Sequence, residues 1–156
     1  MRLHIIAVGR LRKGPELALI TDYLDRYEKA GRALGLGPVS IIEVEDKKGG
    51  GMAAEADLLR KATPKGALTM IMDERGKLIS SIDFSDKLAQ WRDTGTQDLA
   101  ILIGGADGLS PDLRAEADFA LSFGKMVWPH MLARVMLSEQ LYRAASILGN
   151  APYHRV

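Results

Sequence analysis

The chain has 156 residues, 47% hydrophobic and 26% charged, enough for one compact domain with its own core and too apolar for extended disorder. It contains no cysteine, which excludes disulfides, thiolate zinc sites, iron–sulfur clusters and cysteine nucleophiles. The net charge of +1 hides an asymmetry, since residues 125–156 carry Lys125, Arg134, Arg143 and Arg155 against Glu139 alone, a basic end that either faces phosphate or is incidental.

No apolar run approaches the ~18 residues of a membrane span, and Met1–Ile6 enters a strand-like pattern with no signal-peptide core, so a cytoplasmic protein is expected. Leu3–Val8 and Val39–Val44 are short apolar, β-branched runs that predict strands. Between them, Pro15–Leu34 places Leu19, Ile20, Tyr23, Leu24 and Tyr27 at helical spacing and stops at Gly35-Leu36-Gly37-Pro38. Gly49-Gly50-Gly51 predicts a mobile loop before a helix over Met52–Ala62. Leu68–Met72 and Leu99–Ile103 are continuous apolar runs, which suit strands covered on both faces. Ser80/Ser81 with Asp83 predicts the cap of a helix reaching about Trp91, and Ser110-Pro111-Asp112 starts another. Ala120–Phe123 is a fifth strand candidate, and Met131–Leu148 is the last helix. Strands alternating with helices predict a single α/β domain over 1–156, with a mostly parallel sheet flanked by helices. The last helix has 12 apolar residues among 18. So wide a face suits either a second subunit or a central position within one chain.

Three segments could carry chemistry. Ile103–Gly108 lies between a strand and a capped helix, where open α/β sheets bind ligands and where glycines admit close backbone approach. It lacks the spacing of GxGxxG and has no Lys-Ser/Thr following, so dinucleotide and nucleoside-triphosphate fingerprints do not fit. Gly124–His130 gathers an aromatic, a proline and a histidine that suit either a slot for a flat heterocycle or a packed loop. Asp73 follows the third strand at the same sheet edge, as a ligand group or a solvated turn. The tail Pro152–Val156 would be inert as a frayed terminus, yet Tyr153, His154 and Arg155 offer a proton acceptor and a cation. The three histidines are too scattered for a metal site, and no G-x-S-x-G elbow supports hydrolysis.

Leu102-Ile103-Gly104-Gly105-Ala106-Asp107-Gly108-Leu109-Ser110, then Pro129-His130, Arg134, Glu139-Gln140-Leu141-Tyr142-Arg143-Ala144 and Pro152-Tyr153-His154-Arg155 resemble the RlmH family of SPOUT-class methyltransferases. Ala7-Val8-Gly9 and Asp73–Lys77 look like that family too, so the likeness runs along essentially the whole chain. It implies a SPOUT-type sheet with a C-terminal trefoil knot, an exception to unknotted connections. It further implies a homodimer with the active site near the subunit interface. The implied reaction is S-adenosyl-L-methionine-dependent methylation of N3 of a pseudouridine in helix 69 of 23S rRNA, on the assembled 70S ribosome and without metal.

Carried over by position, the cofactor site is Met72, Gly105 and the loop Gly124, Lys125, Met126, Val127, Trp128 and Pro129. Met72 stands where the family often has leucine, and Trp128 where a smaller apolar residue is common. His154 is the candidate base, Arg155 and Arg143 the candidate cations, and Tyr153 a positioning group, with Arg143 and His130 as the next candidates should the tail fail. Two other readings of the residues remain: a non-catalytic nucleotide- or phosphate-binding module using Gly104–Gly108, and a ribosome-associated factor without activity.

Overall fold

A computed structural model describes residues 1–155. Strand β1 (Arg2–Val8) is followed by α1 (Pro15–Gly31), β2 (Val39–Val44), α2 (Gly51–Ala62), β3 (Leu68–Lys77), α3 (Ser81–Asp93), β4 (Asp98–Ile103), α4 (Pro111–Glu116), β5 (Phe119–Leu121) and α5 (His130–Leu148). The five strands lie in the order β2-β1-β4-β3-β5 and every pairing is parallel. All strands therefore end at one edge of the sheet, and the loops leaving them gather there.

The apolar runs predicted covered strands because both faces of the central pair are buried. Leu3, Ile5, Ala7, Leu99 and Ile101 face a layer supplied by α1, α3 and α5. Ile6, Val8, Ala100 and Leu102 face Ala56 and Leu59 of α2 and Leu113 of α4. The width of the apolar face on α5 now has a structural cause. This helix packs against both α1 and α3, burying Leu137, Leu141, Ala144 and Ala145, while Met131 and Leu132 at its start stay about 40% exposed.

Local signals set most boundaries. The Ser80 hydroxyl accepts the Asp83 N–H and the Asp83 carboxylate accepts the Ser80 N–H, a reciprocal cap that starts α3. The Ser110 hydroxyl accepts the Leu113 N–H with Pro111 at the first helical position of α4. Strand β5 covers Phe119–Leu121 in place of the expected Ala120–Phe123, because Ser122 and Phe123 already belong to the loop leaving it, and two larger differences occur. The helix predicted over Pro15–Leu34 gives way at Gly31 to a 3₁₀ turn over Arg32–Leu34. Strand β3 does not stop before Asp73 but runs to Lys77, because after a register shift Lys77 pairs with Leu121 and its carbonyl accepts the Ser122 N–H at 3.0 Å.

Candidate active site

A cavity of about 580 Å³ opens at the carboxyl edge of the sheet, between the second half of β3 and the segments that follow β4 and β5. Each wall has an identifiable origin. The β4 loop is held as a tight turn by the Gly108 N–H donating to the Gly105 carbonyl at 3.0 Å. A Cβ on Gly104 would lie 2.8 Å from the Gly108 carbonyl carbon, so no side chain fits there. One on Gly105 would lie 3.1 Å from both the Glu55 carboxylate and Val8. Glycine at 104 and 105 is therefore required by the turn itself and by its packing on Val8 and Glu55.

Ser122 ties the other two walls together. Its Oγ accepts the Gly124 N–H at 3.0 Å and lies 3.1 Å from the carbonyls of Glu74 and Gly124. This joins the β3 extension to the loop leaving β5. Asp73 is positioned by its own turn, since its Oδ1 accepts the Arg75 N–H at 2.8 Å. The guanidinium groups of Arg75 and Arg114 stand 3.4 and 3.9 Å from its carboxylate. The last wall is apolar: Phe123, Met126, Val127 and Trp128, opposite Met72 and Leu121.

Below this wall α5 begins, and Arg134 fixes its first turns. The guanidinium is 3% exposed and donates to Glu43 Oε2 at 2.6 Å and to the carbonyls of Gly9 at 2.8 Å and Val8 at 3.3 Å. Desolvation pushes the Glu43 carboxyl up, but hydrogen bonds from Arg134 and the Leu11 N–H outweigh it and hold the group below its ordinary value. His130, one turn before Arg134, lines the cavity. Burial, and then the Arg134 charge, push its imidazolium pKa below the ordinary value, and its Nδ1 is buried without a partner.

The residues expected to hold the cofactor mostly converge. Met72, Gly105, Gly124, Met126, Val127, Trp128 and Pro129 all line the cavity, whereas Lys125 is exposed and outside the lining. The tail residues form a separate group. Glu139 Oε1 accepts from Arg143 at 2.6 and 2.9 Å and from the Tyr153 hydroxyl at 2.9 Å. Tyr153 stacks at 4.5 Å on Tyr142, and His154 Nδ1 lies 3.3 Å from Arg143 Nη1. The tail is thus docked on α5 rather than frayed. Arg143, Tyr153, His154 and Arg155 do not line the cavity of their own chain. Phe123 connects the two regions, forming a wall both of the cavity and of a groove lined by Val135, Met136 and Glu139.

Three residues that matter here carried no role in the sequence: Ser122, Glu139 and Arg134. Glu139 and Arg134 sat inside recognised motifs, but only the fold supplies their partners. Among the described residues, no group of three or more His, Cys, Asp or Glu side chains is placed to hold a metal ion, and no helix is long and apolar enough to cross a membrane.

The cavity fits S-adenosyl-L-methionine on its own terms. It has the size of a small-molecule site, an apolar slot, a glycine-rich backbone turn, and carboxylates at Asp73, Glu74 and Asp107 for a cationic ligand. Comparison with known proteins gives the family. Residues 1–154 match a family model described as "Predicted SPOUT methyltransferase". The chain is 70% identical over the full length of both proteins to ribosomal RNA large subunit methyltransferase H of Ruegeria sp. (strain TM1040), and 63% to that of Cereibacter sphaeroides strain ATCC 17023. Among solved structures, the SpoU methyltransferase AviRb of Streptomyces viridochromogenes in complex with AdoMet aligns with TM-score 0.42 at 16% identity, over 90% of this chain and 56% of that one. The chain belongs to the SPOUT methyltransferase family, alongside the proteins named ribosomal RNA large subunit methyltransferase H.

Proposed function

We propose that this protein uses S-adenosyl-L-methionine to methylate N3 of a pseudouridine in helix 69 of 23S rRNA, acting as a cytoplasmic homodimer on the assembled 70S ribosome. The observation that carries this reading is the cavity built by the polar extension of β3 and the loops after β4 and β5, in a chain matching large-subunit rRNA methyltransferases from end to end. The knotted threading of the C-terminal part belongs to the same proposal. So does the dimer, for which exposed Met126, Val127, Trp128, Met131 and Leu132 form an apolar surface beside the cavity mouth.

When bound, the cofactor supplies an activated methyl group on a sulfonium. The backbone of Gly104–Gly108 and the apolar wall of Phe123, Met126, Val127, Trp128 and Pro129 would hold it, with the Asp73, Glu74 and Asp107 carboxylates available to its positive charge. Alignment of the methyl with N3 is then a positioning task for these loops. N3 lies between two carbonyls and becomes a strong nucleophile as its proton leaves. A base and a cation near the carbonyl oxygens are the groups the chain must provide.

His154 as base, Arg143 and Arg155 as cations and Tyr153 as positioning group form the tail reading. Because a guanidinium only donates, the contact with Arg143 makes Nδ1 of His154 an acceptor and leaves its neutral ring protonated on Nε2. To take a proton, that ring must turn Nδ1 away from Arg143. One observation favours a second reading of the base, His130: it lines the cavity, whereas His154 does not.

Calorimetry tests the ligand assignment. S-adenosyl-L-methionine or its demethylated product should bind and free nucleotides should not, and nucleotide binding alone would favour the phosphate-module reading. Rate profiles of His130→Ala and His154→Ala then identify the base, since only the base's removal abolishes the low-pH limb.

A further inference from the structure

We infer that the segment Gly9–Gly14, between β1 and α1, is a rigid basic strap that grips the phosphate backbone of the RNA beside the methylated base. The inference rests on the rRNA methyltransferase reading and adds the surface that holds the substrate.

The strap has its own anchors. The Gly9 N–H donates to the Val44 carbonyl at 2.8 Å, the Gly9 carbonyl accepts from buried Arg134 at 2.8 Å, and the Leu11 N–H donates to Glu43 Oε2 at 2.7 Å. Leu11 packs against the core on the α1 side of the sheet. With the backbone and Leu11 tied inward, Arg10, Arg12 and Lys13 are left exposed on the outside. Three cations sit within four residues with no acid among them.

Their pairing sets them apart. Arg26, Lys29 and Arg60, on the flanking helices, each meet a carboxylate. Among the described residues, Arg10, Arg12 and Lys13 make no such pair. Cations on an anchored backbone, with no ion pair to break, lose less on meeting a polyanion than the same charges on a free loop. The adjacent loop after β2 also holds Lys47 and Lys48, but Glu45 and Asp46 balance them, so the strap carries the net charge.

Location completes the argument. A Cβ on Gly9 would lie 3.5 Å from His130 Cε1, and His130 lines the cavity. A strand whose base enters that cavity must run past the strap. Phosphate contacts of this kind fix register and orientation without reading sequence. The same Arg134 side chain braces both the strap and the start of α5, so RNA gripped at one would be indexed to the other.

The test uses the full-length protein and purified 70S ribosomes lacking the modification. Replacing Arg10, Arg12 and Lys13 together by glutamine should weaken ribosome binding by about tenfold to a hundredfold, and flatten the dependence of log affinity on log salt by about two units. Affinity for S-adenosyl-L-methionine should stay at the wild-type value, which shows that the variant is folded. A photo-crosslinking residue at position 12 should capture rRNA. Wild-type ribosome affinity and salt slope in the triple variant would overturn the strap, as would crosslinks to a ribosomal protein or no crosslink at all. A wild-type protein that transfers no methyl group to these ribosomes would instead overturn the reading beneath it.

Discussion

Replacing Arg134 by methionine keeps the helix and most of the buried volume but removes the cation that joins α5 to β1 and β2. Three hydrogen bonds go with it: to Glu43 at 2.6 Å and to the carbonyls of Gly9 and Val8 at 2.8 and 3.3 Å. Breaking a fully buried ion pair costs about 3–5 kcal/mol, because the remaining charge is stranded. Here Glu43 is 28% exposed and keeps the Leu11 N–H, so water recovers part of that. The two carbonyls add about 1 kcal/mol each where they stay dry. The net expectation is a loss of about 3 kcal/mol. In urea, with a slope near 2 kcal/mol/M, the midpoint should fall by about 1.5 M, measured at fixed protomer concentration so that assembly does not confound it. Glu43→Gln combined with the arginine change should cost less than the sum of the two, with a coupling of about 1–3 kcal/mol. A midpoint shift below about 0.5 M, or strict additivity, would refute the view that this pair clamps the edge of the sheet.

Four further outcomes are expected. Gly104→Ala puts a Cβ 2.8 Å from the Gly108 carbonyl carbon, so calorimetry should show cofactor affinity falling at least tenfold while the far-UV spectrum persists. The carboxyl of Glu43 is held below its ordinary value of 4.5, so its contribution to stability is complete above that pH and disappears as pH drops through the lowered value; Glu43→Gln should flatten this part of the denaturation-versus-pH curve. Tyr153→Phe removes the hydroxyl from Glu139, worth about 1.5–3 kcal/mol locally, and should speed amide exchange in residues 151–155 with a much smaller change in global unfolding. Leu132→Glu alters an exposed residue of the chain and should split the proposed dimer in sedimentation without unfolding the protomer, whereas an unchanged sedimentation coefficient would remove this face from the interface.

What was legible in the sequence is what local physics decides. The runs around Ile5, Ile42 and Ile101 gave β1, β2 and β4, and the Ser80–Asp83 and Ser110–Pro111 pairs marked α3 and α4 closely. The glycine loop and the loop before His130 stood out as candidates by composition and by their place after strands, but each read equally as a packed turn until the fold set them around one cavity. The illegible features depend on partners remote in the chain. Asp73–Lys77 is polar and reads as a loop, yet it extends β3 because Ser122, 48 residues beyond Glu74, draws it in. Arg134 reads as a surface cation, yet its carboxylate partner lies 91 residues earlier. The breadth of the apolar face on α5 could not separate a subunit contact from a central position, since both bury the same side chains. The tail seemed free because Glu139, which holds it, looked like one more helix-surface acid.

Methyl transfer should reach one base of the large-subunit RNA and no other. Ribosomes purified from cells lacking the modification are incubated with the protein and S-adenosyl-L-methionine carrying a labelled methyl group, and the 23S rRNA is then digested and mapped. One methyl per 70S particle, on N3 of a pseudouridine in helix 69 and absent when isolated 50S subunits are supplied, is the predicted result. Label at any other nucleotide, or none on a particle that the protein demonstrably binds, would contradict it.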